Sequence, residues 1–204
     1  QHLFNKVDSE ISGVKQAAKP RQKVFCTAFH KCATTSLAQF CADIGYSVCD
    51  HGKFQPNEKN FVKDAILGKY DSMISAADKW DAFFDSPWFQ FYELFDQMYD
   101  AKFIHCIRDP ESWYASCLKY FGPAAPSEWD TYIYGREWKG PMGNKKVWLA
   151  RYLKHQSDVL EYFKHKDNFL LIDIFGGANI EAKICDFLGV EQGEARIEHY
   201  NKGK

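Results

Sequence analysis

Short apolar runs alternate along the chain with stretches in which apolar residues recur at helical spacing. The runs that predict buried strands, by their length and their content of Val, Ile and Phe, are Lys23–Phe29, Asp81–Phe84, Ala101–Ile107 and Asn168–Ile174. Helical patterns separate these runs, and parallel strands need such crossover connections. The alternation therefore predicts an α/β fold in which a mostly parallel sheet is flanked by helices.

Two of the predicted helices have clear boundary residues. After the first strand, an apolar stripe from Leu37 to Ile44 ends at Gly45, a residue that commonly stops helices. After the third strand, Asp109 can cap a helix whose first position is taken by Pro110. Further helices are predicted over the aromatic stripe Trp88–Met98 and after Gly176 and Gly177.

The segment from Phe121 to Gly143 breaks this pattern and is rich in Pro, Gly and Trp. An irregular stretch of this length inside a compact domain is usually a functional loop or lid. Its aromatic residues, which are uncommon in disordered chains, are Trp129, Tyr132, Tyr134 and Trp138. We therefore expect an aromatic loop insertion over about 121–143 that shapes a binding pocket, since aromatic faces suit sugars and ring compounds.

Size and composition favour a single domain. The chain has 204 residues, of which 46% are hydrophobic and 17% aromatic, enough to bury one sizeable core. We expect that domain to span 23–204, after an N-terminal segment at 1–22. A net charge of −1 argues against a nucleic-acid or anionic-membrane partner. No apolar run approaches the ~20 residues that span a bilayer, and no signal-peptide pattern is found.

The cysteines bear on the compartment. There are seven, an odd number without a CxxC pair, which predicts free buried thiols in a reducing compartment rather than a disulfide framework or a zinc site. We therefore expect a cytoplasmic protein. The sequence starts at Gln1, so a leader or an anchor ahead of it stays open.

The turn after the first strand concentrates polar chemistry. Lys31 is followed by three hydroxyl side chains, those of Thr34, Thr35 and Ser36, where a helix would start. At the carboxyl end of a parallel strand, a helix N-terminus offers unpaired N–H groups and a positive partial charge. An anion site is favoured over a simple helix cap, which would explain only one hydroxyl. The turn is not a Walker A loop, because it lacks the glycines required ahead of the lysine.

A second polar turn follows the third strand. Arg108 comes directly after FIHCI, and Ser116 lies further along the adjoining helix. An arginine fork suits phosphate oxygens, and a serine adds one more donor. The alternative is a surface ion pair of Arg108 with Asp109 or Glu111. Two anion sites on neighbouring strands suggest a ligand with phosphate at two ends.

These motifs resemble those of a known family. KVFCTAFHKCATTSL is similar to the 5′-phosphosulfate loop of sulfotransferases that use 3′-phosphoadenosine 5′-phosphosulfate (PAPS), and AKFIHCIRDPESWYAS resembles their 3′-phosphate motif. FFDSPWFQFYELF and NFLLIDIFGGANIEAKICDFLGV are also similar, so the likeness spans roughly Lys23 to Val190. The resemblance implies a P-loop nucleotide-kinase-like fold and metal-independent transfer of a sulfuryl group to a hydroxyl or amine, with adenosine 3′,5′-bisphosphate as product.

The resemblance also implies which residues hold the donor. Arg108 and Ser116 would bind the 3′-phosphate, and the 5′-phosphosulfate would lie against His30, Lys31, Cys32, Ala33, Thr34, Thr35 and Ser36. Ala33 stands where the family usually has glycine, and Phe29–His30 where small or basic residues are common. Cys32 is interpreted as a bystander thiol, and the alternative is a thiol whose pKa is lowered by the positive helix start.

The two catalytic roles are assigned to Lys31 and Asp85. Lys31 would neutralise charge that grows on the leaving phosphate, by analogy with phosphoryl transfer. Asp85, in FFDSP, lies where the family has a histidine or acidic base, and the alternative is a helix cap before Pro87. The competing bases are Asp78, Asp81 and His30.

Two other functions remain open from the sequence. One is a nucleoside or small-molecule kinase, which would require magnesium, and the other is a non-catalytic nucleotide-binding protein. For the sulfotransferase we favour a carbohydrate or small-molecule acceptor, and the oligomeric state is undetermined. His105 alternates within a strand and is expected to be a satisfied core residue.

Overall fold

The protein folds around one parallel sheet. The computed structural model describes residues 21–50, 58–122, 124–125, 127–135 and 140–198, with the side chains of 58–60 excepted. In this part of the chain, five strands form a sheet in the order β2-β3-β1-β4-β5, and every pairing is parallel. The predicted α/β fold with a parallel sheet flanked by helices is confirmed.

The strands are β1 (Lys23–Cys26), β2 (Val48–Cys49), β3 (Ala82–Phe83), β4 (Ala101–Cys106) and β5 (Phe169–Ile172). The helices are α1 (Thr34–Asp43), α2 (Glu58–Ile66), α3 (Asp71–Ala77), α4 (Tyr92–Met98), α5 (Pro110–Phe121), α6 (Glu128–Tyr134), α7 (Lys145–Phe163) and α8 (Ile180–Leu188), with a 3₁₀ turn at Trp88–Gln90 ahead of α4.

The central strand β1 is buried on both faces, as expected for a parallel sheet covered by helices. Val24 and Cys26 face a core cluster built with α1, α5, α7 and α8. Phe25 points to the other face, where its ring stacks on Phe83 at 4.4 Å and on Phe95 at 4.5 Å between centroids. The sheet is thus anchored from both sides, which fixes the ends of β1 and its neighbours.

A polar network is buried just past β1. The Thr27 hydroxyl bonds to Nδ1 of His105 at 2.9 Å, and His105 Nε2 bonds to the amide oxygen of Gln156. His155 Nε2 donates to the Thr27 carbonyl at 2.7 Å. Burial lowers the pKa of both histidines, that of His155 to about 4, so both rings are neutral at pH 7. The prediction that His105 is a satisfied core residue is confirmed.

Several predicted elements need correction. The strand predicted to reach Phe29 ends at Cys26, and the last helix begins at Ile180, three residues after the glycines. The aromatic stripe Trp88–Met98 is divided between the 3₁₀ turn and α4. Strand β2 and helices α2, α3 and α7 were not predicted.

The segment from Phe121 to Gly143 was predicted to be irregular, but part of it is helical. Helix α5 runs to Phe121, and α6 covers Glu128–Tyr134. A capping box begins α6: Ser127 Oγ accepts from the Asp130 amide at 3.1 Å, and the Asp130 carboxylate accepts from the Ser127 amide at 2.8 Å. Trp138 lies outside the described residues.

All seven cysteines are free and buried, as was predicted for the thiols themselves. Burial raises the pKa of six of these thiols, which therefore remain protonated and serve as small core residues; the six are Cys26, Cys32, Cys41, Cys106, Cys117 and Cys185. None of the described helices combines the length and the apolarity that a bilayer span requires.

Candidate active site

A cavity of about 820 Å³ opens where the parallel strands β1, β3, β4 and β5 end. Ligand sites of α/β sheets are commonly found at this edge, because helix N-termini and loops converge there. The residues predicted to bind the donor or to act in catalysis line this cavity, with the exception of Cys32. The turns after β1 and β4, which lie far apart in the sequence, therefore meet at one site.

The turn between β1 and α1 has an unusual backbone. Lys31 and Ala33 both have a φ of 62°, in the left-handed region that glycine adopts most easily. Ala33 is the N-cap of α1 and has no side-chain acceptor, so the first turn of the helix begins directly at Thr34. Thr34 and Ser36 are each 5% exposed, and Thr35 is exposed. The three hydroxyls and the positive end of the helix dipole therefore meet at the cavity wall.

Lys31 extends along the cavity toward α5. Its Nζ lies 3.7 Å from the ring centre of Tyr120, a cation–π contact. Burial lowers the pKa of Lys31, and the Cys117 thiol and the Asp85 carboxylate oppose that shift. A half-buried ammonium group is poorly hydrated, so an anion that enters the cavity gains a strong partner in Lys31.

Arg108 follows β4 and is held by the opposite turn. Its Nε donates to Ser112 Oγ at 3.1 Å, and its Nη1 donates to the Lys31 carbonyl at 2.8 Å. The guanidinium lies over the Phe175 ring at 4.7 Å. The alternative surface pairs do not account for this position, because Asp109 Oδ1 accepts from the Ser112 amide and Glu111 pairs with Lys145.

One face of α5 continues the site. Ser116 lies one helical turn beyond Ser112, and Tyr120 lies one turn beyond Ser116. Ser116 and Tyr120 both line the cavity, and Ser112 supports Arg108. The sequence analysis did not select Tyr120, although its i, i+4 spacing from Ser116 places it on the same helix face.

Asp85 lies past the carboxyl end of β3, on the opposite wall of the cavity. Its φ is 67°, and its Oδ1 accepts from the Ser86 amide at 2.9 Å. It also lines a smaller neighbouring cavity of about 140 Å³ with Thr34 and Asp50. The short helical turn that follows has Pro87, not Asp85, as its N-cap. Asp85 is therefore placed between the Lys31 side of the site and a second recess.

The competing bases differ in position. Asp81 precedes β3, at the amino end of the strand, and its Oδ2 accepts from the Ser47 hydroxyl at 2.5 Å. Asp78 Oδ1 accepts from the Tyr99 hydroxyl at 2.8 Å. Both lie at the edge of the sheet opposite the cavity. His30 does line the cavity, where its Nε2 bonds to the Tyr134 hydroxyl at 2.7 Å.

Cys32 differs from its neighbours in the turn. Its side chain is fully buried in the core, and its Sγ lies 3.8 Å from the Tyr152 hydroxyl. Burial raises the pKa of the thiol well above its usual range, which agrees with the interpretation as a bystander thiol and contradicts the alternative of a reactive, low-pKa thiolate. The thiol of Cys32 therefore packs behind the cavity rather than against its contents.

The structure adds residues that the sequence analysis did not select. Phe175 stands just past β5, and its place at the carboxyl end of a predicted strand was the available signal. Phe121, Ser127 and Asp130 belong to the segment that was predicted to shape the pocket, as does Trp129, and all four line the cavity. Within the described ranges, no three His, Cys, Asp or Glu residues gather as metal ligands.

The fold and the cavity together define a nucleotide-kinase-like α/β protein with two cationic turns at one cavity. A family model described as a sulfotransferase domain matches residues 23–204. The chain therefore belongs to the sulfotransferase family, which agrees with the P-loop-like sheet and confirms the resemblance seen in the motifs. A search of curated proteins found no match.

Proposed function

We propose that the protein transfers a sulfuryl group from PAPS to a hydroxyl or amine of a small-molecule or glycan acceptor. The observation that carries this proposal is the single cavity lined by Lys31, Arg108, Ser116 and Asp85, beside the N-terminus of α1. It combines two cations for a donor with two anionic ends and a carboxylate for an acceptor.

The chemistry of the donor side fits PAPS. Phosphate and sulfate oxygens are anionic acceptors, and this wall of the cavity offers a lysine, an arginine, several hydroxyls and a helix N-terminus. Lys31, Thr34, Thr35 and Ser36 would hold the 5′-phosphosulfate, and Arg108 and Ser116 the 3′-phosphate. When bound, PAPS supplies an activated sulfuryl group.

The chain's own residues then have separate roles. The Lys31 ammonium neutralises negative charge that develops on the leaving phosphate, in a half-buried site where such an interaction is strong. The Asp85 carboxylate takes the proton from the acceptor hydroxyl or amine. Arg108 and Ser116 position the nucleotide and do not take part in bond making.

The remaining wall supports a neutral or sugar-like acceptor. It combines aromatic side chains, those of Tyr120, Phe121 and Trp129, with the carboxylates of Asp85 and Asp130. Carboxylates accept hydrogen bonds from hydroxyls, and aromatic faces pack against rings. The buried free thiols support the cytoplasm as the site of action.

Donor identity is tested by metal-free binding. Adenosine 3′,5′-bisphosphate should bind without metal and raise the Tm, since a ligand at a hundred times its Kd adds about 2.7 kcal/mol of stability. ATP with magnesium should raise the Tm much less. Equal stabilisation by magnesium ATP would favour the kinase alternative and contradict the proposal.

Activity is tested by transfer of radiolabelled sulfate from PAPS to an extract of small metabolites and glycans. A labelled product that depends on the protein is the expected result. Tight binding of the bisphosphate without any labelled product across a broad panel would favour the non-catalytic alternative.

The base is tested at Asp85. Asp85→Asn keeps the size of the side chain and an acceptor oxygen, so turnover should fall by ~10²–10⁴, the usual contribution of a general base. Affinity for the bisphosphate and the Tm should change little. If Asp85 only stabilised its turn, Asp85→Asn would be nearly silent, while Asp85→Ala would lower stability by ~1 kcal/mol and leave the rate intact.

A further inference from the structure

A single buried hydroxyl, that of Tyr152 on α7, holds both backbone polar groups of Arg108. The hydroxyl donates to the Arg108 carbonyl at 2.7 Å and accepts from the Arg108 amide at 3.1 Å. Arg108 lies two residues past the end of β4, where the strand no longer provides ladder partners. Tyr152 is 1% exposed, so it acts on Arg108 from the core.

The same hydroxyl also reaches the turn after β1. The Cys32 thiol donates to it at 3.8 Å. The Tyr152 ring stacks on Trp113 with centroids 4.3 Å apart and an interplanar angle of 12°. Trp113 Nε1 in turn donates to the His30 carbonyl at 2.8 Å. The stacked pair therefore holds the chain on both sides of Lys31.

A direct hydrogen bond joins the turn after β1 to the turn after β4. Arg108 Nη1 donates to the carbonyl of Lys31, whose left-handed backbone needs support from its surroundings. A shift of Arg108 therefore moves a partner of Lys31, and the two cations are positioned as one unit. Burial raises the pKa of Tyr152 far above its usual range, so the hydroxyl keeps the proton that it donates.

We propose that Tyr152 is a positioning residue for the donor. Its hydroxyl fixes Arg108 relative to Lys31 and thereby sets the preference of the site for a nucleotide that carries a 3′-phosphate. This inference rests on the proposed function, because it assumes that Arg108 contacts that phosphate. Tyr152 itself acts only through the backbone of Arg108 and through the turn after β1.

The test compares two tyrosine-to-phenylalanine variants. Tyr152→Phe keeps the ring and its stack on Trp113 but removes the hydroxyl. Tyr114→Phe is the matched control, since the Tyr114 hydroxyl is also buried and donates to a backbone carbonyl, that of Pro141, at 2.7 Å. Both variants lose the same kind of hydrogen bond, but only Tyr152→Phe loses it at Arg108.

The measured quantity is the ratio of two affinities, for adenosine 3′,5′-bisphosphate and for adenosine 5′-monophosphate, by metal-free calorimetric titration. A purely structural loss lowers the Tm and leaves this ratio unchanged. We expect Tyr152→Phe to lower the ratio about threefold to tenfold, the effect of one or two lost hydrogen bonds, and Tyr114→Phe to leave it at the wild-type value.

A double-mutant cycle shows whether Tyr152 acts through Arg108. In an Arg108→Ala background, Tyr152→Phe should lower the ratio no further. Should Tyr152→Phe fail to fold, Cys32→Ala provides a second variant, since it removes the thiol bond to the same hydroxyl and should lower the ratio less.

The outcomes separate the two proposals. A wild-type preference for the bisphosphate that Tyr152→Phe retains in full, or that the two phenylalanine variants lose equally, overturns the positioning role alone. A wild-type protein without any preference for the bisphosphate overturns the proposed donor, and the positioning role with it.

Discussion

The two helices that begin beside the cavity, α1 and α5, start in opposite ways. Helix α1 begins after Ala33. Among the residues that the structure describes, no side chain caps it, and its first turn holds no acidic residue. Helix α5 begins after Asp109, whose carboxylate accepts from the Ser112 amide at 2.8 Å, with Pro110 at its first position. We call the uncapped turn before α1 the open turn and the turn before α5, which the Asp109 carboxylate caps, the closed turn.

Under the proposed function, the two turns would bind the anionic groups of the donor by different means. At α1, main-chain amides and the helix dipole act beside Lys31 and the hydroxyls. At α5, Asp109 already caps the terminus, so the proposed binding would depend on the side chains of Arg108 and Ser116. We therefore expect substitutions at the turn before α1 to change mainly the rate of transfer. Substitutions at the turn before α5 should change mainly the affinity for the bisphosphate or the stability of the fold.

The largest effect is expected at the open turn. Lys31→Ala should lower turnover by ~10²–10³, because charge on the leaving group is greatest as transfer proceeds. Affinity for the bisphosphate should fall by less than about tenfold, since the amides and hydroxyls of α1 remain. Steady-state kinetics and calorimetry measure the two quantities, and Lys119→Ala, an exposed lysine on α5, is the control. A weakened affinity with an unchanged maximal rate would reduce Lys31 to a positioning residue.

At the closed turn, affinity should change most. Arg108→Ala removes a charge-assisted contact to the 3′-phosphate worth ~1.5–3 kcal/mol, or roughly ten- to a hundredfold in the Kd of the bisphosphate. Affinity for the 5′-monophosphate should be much less affected. Arg151→Ala, at an exposed position of α7, serves as the control for charge. If Arg108→Ala binds the bisphosphate as well as wild type does, the 3′-phosphate site lies elsewhere.

Substitution of Asp109, the N-cap of α5, should change the stability of the fold and leave the affinity for the bisphosphate unchanged. Asp109→Ala leaves the Ser112 amide without its acceptor and should lower the free energy of unfolding by ~1 kcal/mol. Asp109→Asn keeps an acceptor oxygen and should lose only part of this. Urea unfolding measures the effect. A loss of bisphosphate affinity comparable to that of Arg108→Ala would mean that the closed turn binds through its backbone after all.

The smallest effect is a gain in stability at the open turn. Ala33 has a φ of 62°, and glycine adopts this conformation without the steric cost that a Cβ brings. Ala33→Gly should therefore raise the free energy of unfolding by ~0.5–1 kcal/mol, after the greater flexibility of glycine in the unfolded chain is deducted. Ala38→Gly, inside α1, should instead lose ~1 kcal/mol. A destabilised Ala33→Gly would show that the turn is not strained.

The parts of the fold that were predicted correctly have strong local patterns. Strand β4 is buried at every position except the partly exposed Lys102, and the start of α5 has both a cap and a proline. The long helix α7 was missed because apolar residues occur on its exposed side as well, with Leu153 50% and Leu160 38% exposed, which blurs the helical period. Strand β2 is only two residues long and carries no measurable alternation.

The residues of the candidate site likewise differ in whether a local sequence pattern or tertiary packing places them. Lys31 and the hydroxyls after it were found because they follow one another in a single turn. Phe175 and Tyr120 were not selected, since each is an aromatic residue whose proximity to Arg108 or Lys31 depends on packing. Cys32 lies in the same turn as Lys31, yet its side chain points into the core.

The sequence by itself determined the fold class, the family and the two basic turns, because each of these is recorded in neighbouring residues. Only the tertiary structure decided that the turns meet: Arg108 donates to the carbonyl of Lys31 across a separation of 77 residues, and Tyr152 holds Arg108 from 44 residues further on. Such contacts follow from the order of strands in the sheet and the packing of helices on it. No local pattern of polar and apolar residues encodes them, because it specifies which face of an element is buried and not which other element covers that face.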